Sequence, residues 1–339
     1  MEACALCDGS GLLIGEPCPL CDDQVGKRED REIADLDATE EEHAVAEIAR
    51  RLTSGEFQKV VVCTGAGISF NSGIPDFRSK GGLFERIRAE LGADFPELQE
   101  TPEIALSRGF LNEHPVEAAR VRNFIDRSKW TQARPCDCHL LLALLARKGL
   151  LHRVYTQNVD GMHQRAGVPE HLVVETHGSL ARGNIVLYDD PIPASFTDVI
   201  KEDFPKNAAQ DQCDFMLVIG SSLQVAPFCA VPNLAQKNVP RALVTREPEK
   251  AFRNAFSRRR GHPEQDAMYG SMYRCDASAR FGKRATSLEP RWGKGSKYKT
   301  QWIFDVDCDK WARDVAKCAG WMYELQELRN EQGACGPSM

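Results

Sequence analysis

No run of about 18 uninterrupted apolar residues occurs in this chain, so it carries no candidate membrane-spanning helix. Nor does it open as a secretory signal does, with a basic and then an apolar region; acids and cysteines stand there instead. An even, regularly spaced set of cysteines is also missing. The thirteen present are scattered, which without an export signal argues for thiols and metal ligands over a disulfide framework. Strong charge of one sign is absent too, the formal net charge being −6. The chain is therefore expected to stay in the cytosol or nucleus. What it does have is 339 residues, 42% hydrophobic and 27% charged, enough for one large domain with a substantial core plus a smaller module.

Charge that is modest in total is uneven in place. Residues 27–50 carry a balance of −5 and residues 251–300 a balance of +8. The basic stretch, with Arg258-Arg259-Arg260 and Lys283-Arg284, suits weak contact with nucleic acid or an anionic partner. A solvated surface insertion rich in Gly, Ser and Arg is the plainer reading.

At the N-terminus, Cys4-Ala5-Leu6-Cys7 and Cys18-Pro19-Leu20-Cys21 form two C-x-x-C pairs separated by ten residues that include Gly9, Gly11, Gly15 and Pro17. Four thiolates on two knuckles suit a tetrahedral zinc site able to fold an arm too short for its own core. A disordered tail with incidental cysteines is the alternative. Residues 1–26 are thus expected to be a zinc-binding arm, 27–38 an acidic linker, 39–328 the main domain with a basic insertion at 251–300, and 329–339 a tail.

The main domain opens on a helix. Thr39 with Glu42 reads as a capping box, Ala44, Val45, Ile48, Ala49 and Leu52 form an apolar face, and Gly55 stops it. Strand candidates follow at Val60–Cys63, Val154–Thr156, Leu172–Glu175, Ile185–Tyr188, Phe215–Ile219, Ala242–Val244 and Trp302–Phe304, with helical stretches such as Leu140–Arg147 between them. Alternating strands and helices predict an α/β fold, a Rossmann-like doubly wound parallel sheet that takes ligands at the carboxyl ends of its strands. The polar blocks fall at those ends: Gly65-Ala66-Gly67-Ile68-Ser69, Gln157-Asn158-Val159-Asp160, His177, and Gly220-Ser221-Ser222. A glycine turn after a strand lets backbone N–H groups approach a pyrophosphate, although the same Gly-x-Gly also makes an ordinary tight turn.

With Ile74-Pro75-Asp76-Phe77-Arg78, Thr156-Gln157-Asn158-Val159-Asp160, Thr176-His177-Gly178-Ser179, Ile219-Gly220-Ser221-Ser222-Leu223 and Gly320-Trp321 in this order, the chain resembles the sirtuin family of NAD-dependent protein deacylases. The resemblance spans about residues 45–328. It implies NAD as cofactor and transfer of the acyl group from an acylated lysine to ADP-ribose, with release of nicotinamide. It makes His177 the catalytic base and Asn158 its companion. Gly65, Ala66, Gly67, Ser69, Asp76, Phe77 and Arg78 would form the cofactor loop. Gln157, Asn158 and Asp160 would form the ribose and nicotinamide pocket. Gly220, Ser221 and Ser222 would meet phosphates and ribose, and Thr245, Arg246, Glu247 and Cys308 the adenosine end. Val186, Leu187, Tyr188 and Asp189 would bind the acylated peptide by strand addition.

Three departures from the family pattern stand out. Threonine occupies position 245, where asparagine is usual. Only Gly178 to Asn184 separate the histidine block from the following apolar run, so the zinc module usually inserted there is absent, leaving a reduced small domain. Asp189 stands where glycine is usual, and is expected to crowd the peptide or to change its preferred sequence toward basic substrates. No Tyr-x-x-Arg occurs between Lys80 and Trp130, which leaves short neutral acyl groups as the default. A mono-ADP-ribosyltransferase on the same fold, or a non-catalytic NAD-binding scaffold protein, are the alternatives to a deacetylase.

Overall fold

The structure, a computed structural model, describes residues 38–125, 130, 132–205, 213–225, 228–236, 238–246 and 301–334, and the backbone of 12–13 and 16–17. In the N-terminal segment β1 (Leu12–Leu13) pairs antiparallel with β2 (Glu16–Pro17), Leu12 opposite Pro17. This hairpin lies in the sequence between the two C-x-x-C pairs. Cys4, Cys7, Cys18 and Cys21 themselves fall outside the described residues, as do Glu247 and the 251–300 stretch.

The main sheet has six strands, all parallel, in the order β5-β4-β3-β6-β7-β8. They are β3 (Val60–Thr64), β4 (Leu151–Thr156), β5 (Val173–Glu175), β6 (Phe215–Ile219), β7 (Arg241–Val244) and β8 (Gln301–Phe304). Counted from β3 as the first, this is the 3-2-1-4-5-6 order of a doubly wound dinucleotide fold. Every residue of β3, β6 and β7 is buried, because helices cover both faces. The one charged side chain among them, Arg241, donates to the carbonyls of Pro232, Ala235 and Val239. Val61, Cys63, Tyr155, Met216 and Val218 face a cluster with Phe196 and Ile200 of α8 (Ala194–Asp203) and with Phe228 and Val231 of a 3₁₀ turn. Beside the sheet, α6 (Asp137–Arg147) packs on β4 and against α9 (Cys308–Cys318) and α10 (Met322–Ala334). Leu140 to Leu145 are all buried, as a helix enclosed by neighbours requires.

The first helix, α1 (Ala38–Ser54), begins one residue before the expected cap Thr39, and Gly55 ends it at φ +78°. A second apolar cluster, built without strands, joins α2 (Leu83–Leu91), α3 (Glu97–Glu100), α4 (Arg108–Glu113) and α5 (Pro115–Phe124) through Leu83, Phe84, Ile87, Leu98, Phe110 and Val121. This is the small module, inserted between β3 and β4. A short helix, α7 (Met162–Arg165), follows β4. Two expectations need correction. Ile185–Tyr188 is not a strand: its backbone joins no ladder. The boundary at 328 falls inside α10, which runs to Ala334. Among the described residues, no helix is long and apolar enough to cross a membrane.

Candidate functional site

Strand register brings the polar blocks to one edge. Thr64 lies opposite both Thr156 and Ile219, Thr156 opposite Glu175, and Ile219 opposite Val244. The residues that follow, Gly65, Gln157, Thr176, Gly220 and Thr245, therefore leave the sheet side by side. Successive strands are added on one side of β3 as far as β5 and on the other from β6 onward, and such a switch point opens a crevice at the carboxyl edge. A cavity of about 310 Å³ occupies it.

Glycine at 65, 67 and 220 serves the close packing of two turns. Gly65 N donates to Ile219 O at 3.1 Å and Gly67 N to Gly220 O at 2.8 Å, so these two amides are already engaged. A Cβ on Gly65 or Gly67 would lie 2.8 Å from Gly220 O, and one on Gly220, at φ +59°, 2.3 Å from Ile68 N. The glycines let the loops after β3 and β6 interlock, and the interlocked loops form the cavity floor.

On that floor a buried hydrogen-bond network sets Asn158. Its Nδ2 donates to Gly65 O at 3.1 Å and to Ser69 Oγ at 3.2 Å, and Ser69 Oγ donates to Asp160 Oδ2 at 2.7 Å. Asp160 Oδ1 in turn accepts from Met162 N at 3.0 Å, closing the turn that leads into α7. Behind Ser69 stand two buried histidines. His139 Nδ1 accepts from Cys136 N at 3.4 Å, which leaves the proton on Nε2, 3.5 Å from Ser69 Oγ. His163 Nε2 meets Thr64 Oγ1 at 2.9 Å. Burial pushes both imidazoles well below the ordinary histidine range.

His177 lines the cavity, its Nδ1 3.2 Å from Gln157 O. A carbonyl only accepts, so the proton sits on Nδ1 and the lone pair on Nε2. Burial lowers its pKa, against a smaller opposing pull from the Gln157 carbonyl. The ring is thus neutral near pH 7 and able to take a proton.

Asp76, Phe77 and Arg78 line the same cavity. Asp76 Oδ1 accepts from Ser79 N at 2.8 Å and Arg78 N at 3.2 Å, so the carboxylate shapes its own turn. Arg78 pairs with Glu103 at 3.1 Å and lies over the Phe84 ring. At the far end are Thr245, Arg246 and Cys308. Thr245 Oγ1 donates to Arg246 O at 3.2 Å, and Arg246 pairs with Asp307 at 2.5 Å and lies over Phe70. Burial pushes the Cys308 thiol up to about 12, so it presents a neutral sulfur.

Val186, Leu187 and Tyr188 form an apolar wall of the cavity, but Asp189 does not line it. Its carboxylate accepts from Arg108 N at 2.6 Å and Gly109 N at 2.9 Å, capping α4 where free amides and the helix dipole favour a negative charge. Asp189 therefore does not crowd the cleft.

The Sir2 family model matches residues 65–183. The chain is 32% identical over 242 residues to the NAD-dependent deacetylase sir2A of Dictyostelium discoideum, covering 60% of this chain and 44% of that protein. It is 31% identical over 236 residues to the human NAD-dependent protein deacetylase sirtuin-1, covering 57% and 29%. Against the mouse NAD-dependent protein deacetylase sirtuin-3 it is 30% identical over 239 residues, covering 62% of this chain and 69% of the relative. The chain belongs to the Sir2 family. It spans less than half the length of the first two of these relatives.

Within this Sir2-family cavity lie the site residues expected from sequence, apart from Asp189 and the undescribed Glu247 and N-terminal cysteines. Phe70, Leu106, Ile125, Trp130 and Ile192 line it as well. Nothing local marked them, since ordinary apolar residues become lining only when the small module closes over the sheet edge. Among the described residues, no group of three or more His, Cys, Asp or Glu is placed to hold a metal ion.

Proposed function

We propose that this chain is an NAD-dependent protein-lysine deacetylase. The observation that carries the reading is neutral His177, with its Nε2 lone pair free, lining the same switch-point cavity as the Asn158–Ser69–Asp160 network. The residues suit NAD by the chemistry of their groups. Hydroxyls of Ser221 and Ser222 and the amide of Gln157 suit ribose, Arg78 and Arg246 suit phosphates, and Phe77 and Phe70 offer apolar faces. When bound, NAD supplies the ribose that accepts the acyl group as nicotinamide departs. Asn158, tied to Gly65 and Ser69, holds the pocket in shape without reorganising. His177 removes a proton at Nε2. Val186, Leu187 and Tyr188 exclude water along the acyl-lysine side.

Incubating the protein with NAD and an acetyl-lysine peptide should yield deacetylated peptide, nicotinamide and O-acetyl-ADP-ribose. His177→Ala should lower turnover by about 10²–10⁴-fold while calorimetry still detects NAD binding. Because His177 is held neutral, the acid limb of kcat/KM should lie below the ordinary histidine value of about 6.5. Near-normal turnover in His177→Ala would overturn the assignment. ADP-ribosylated protein without deacetylated peptide would instead make the chain a mono-ADP-ribosyltransferase.

Zinc belongs to the N-terminal arm in this reading, on Cys4, Cys7, Cys18 and Cys21. The support is the paired spacing together with the hairpin that turns the chain back between the pairs. Elemental analysis should find about one equivalent of zinc, lost in Cys4→Ser/Cys7→Ser. Zinc retained by that variant would place the metal elsewhere.

A further inference from the structure

The wall formed by Val186, Leu187 and Tyr188 has spent its backbone donors. Val186 N donates to His177 O at 2.9 Å, Leu187 N to Asp190 Oδ2 at 3.0 Å, and Tyr188 N to Leu106 O at 3.3 Å. Three consecutive amides are thus satisfied inside the protein. A peptide laid along this wall would find none of them free, which removes these three donors from any strand-addition ladder.

The middle amide is held by a side chain, and that side chain is held in turn. Asp190 receives Arg108 through two parallel bonds, Nε to Oδ1 and Nη2 to Oδ2, both 2.5 Å. A planar guanidinium facing a carboxylate in this fork fixes orientation as well as distance. Asp190 is mostly enclosed, with 15% of its side chain accessible, whereas Arg108 is exposed at 55%. Hydrogen bonding from Arg108 also holds the Asp190 carboxyl below its ordinary range, against burial. Next to it, Asp189 caps α4 through the Arg108 and Gly109 amides. One end of α4 and two successive aspartates therefore form a strut between the small module and the wall, about eighty residues apart in sequence.

We propose that Arg108 and Asp190 are positioning residues for substrate recognition: their fork holds the Leu187 amide inward, so the wall meets an acylated lysine with apolar side chains and with no free amide from residues 186–188. The inference rests on the deacetylase reading for its substrate, though the strut can be tested without it. Neither residue lines the cavity, so the effect falls on the grip of the peptide and leaves the chemistry in place.

The experiment uses the full chain as wild type, Arg108→Gln, Asp190→Asn and the double variant, with melting temperatures recorded for each. Hydrogen–deuterium exchange on the protein alone reads the strut. Amides 186–188 should be protected in wild type and exchange about tenfold faster in Arg108→Gln. Steady-state kinetics with an acetylated peptide reads recognition. KM for the peptide should rise about tenfold, KM for NAD should not move, and kcat should stay within about twofold, the pattern of lost uniform binding. The double variant should be no worse than the worse single one, because both remove the same fork. Unchanged exchange, an unchanged peptide KM, or a matching rise in KM for NAD would overturn the proposal. Exchange still decides the strut if the wild type turns over no peptide, an outcome that defeats the deacetylase reading separately. Arg108 is largely exposed, so its variant is expected to fold and to keep the test open.

Discussion

Gly220 governs how closely two loops can approach, and through them the depth of the cavity. Its φ of +59° and the 2.3 Å that would separate an added Cβ from Ile68 N mean that alanine meets both strain and collision. Since the obstacle is backbone, no side-chain rotation relieves it. Gly220→Ala should destabilise the protein by about 2–4 kcal/mol and weaken NAD binding at the same time. Urea melts and calorimetry check both, and a variant as stable as wild type would show that the loops can separate without loss. The residues of the site were largely legible in the sequence, but their work was not always. Gly65 and Gly67 read either as amides offered to a pyrophosphate or as an ordinary tight turn, and the structure spends those amides on Ile219 O and Gly220 O. Asp189 read as an obstacle in the cleft and turns out to cap α4.

Elements were legible where one physical cause dominates. Val60–Thr64 and Phe215–Ile219 are apolar runs buried on both sides, which in an α/β chain has little meaning other than a central parallel strand. Ile185–Tyr188 carries much the same local signal but lines a cavity, because the partners of its amides are a histidine carbonyl, an aspartate and a turn of the small module. An apolar run records burial, and burial against a ligand site looks the same in sequence as burial in a sheet. The turn Gly178–Asn184 teaches the complementary lesson. Its shortness, plain in the sequence, rules out an inserted module. How it closes, with Ser179 N on Asn184 Oδ1 at 3.0 Å and Leu180 N on Val159 O at 2.9 Å, needs the fold.

For the molecule as a whole, the histidines beneath the site tie stability to pH. His139 and His163 are buried and held neutral by desolvation, and His177 shifts in the same direction. Their folded-state pKa values lie below the unfolded value of about 6.5, so the unfolded chain binds more protons once the pH falls under that value. Stability should be full above about pH 6.5 and decline below it, at up to about 1.4 kcal/mol per pH unit for each histidine. The carboxylates act lower down. Asp203, where bonds from His152, Arg153 and Tyr155 outweigh burial and hold the pKa at about 2, loses its contribution only as the pH falls below its ordinary 3.8. Urea titrations between pH 7 and 4.5 isolate the histidine window. A flat unfolding free energy across it would show that these rings are protonated in the native protein.

By itself the sequence determined the class of fold, the edge of the sheet where ligands belong and most of the residues gathered there, because strand burial, turn chemistry and motif order are local and survive in one dimension. Only the tertiary structure decided what each group is bonded to. Asp189 and Asp190 reach Arg108 across about eighty residues, Asn71 reaches Asp307 across 236, and Ser69 reaches Asp160 across 91. A hydrogen bond's direction and a proton's place on a ring depend on which atoms lie within about 3 Å, and no spacing along the chain specifies that.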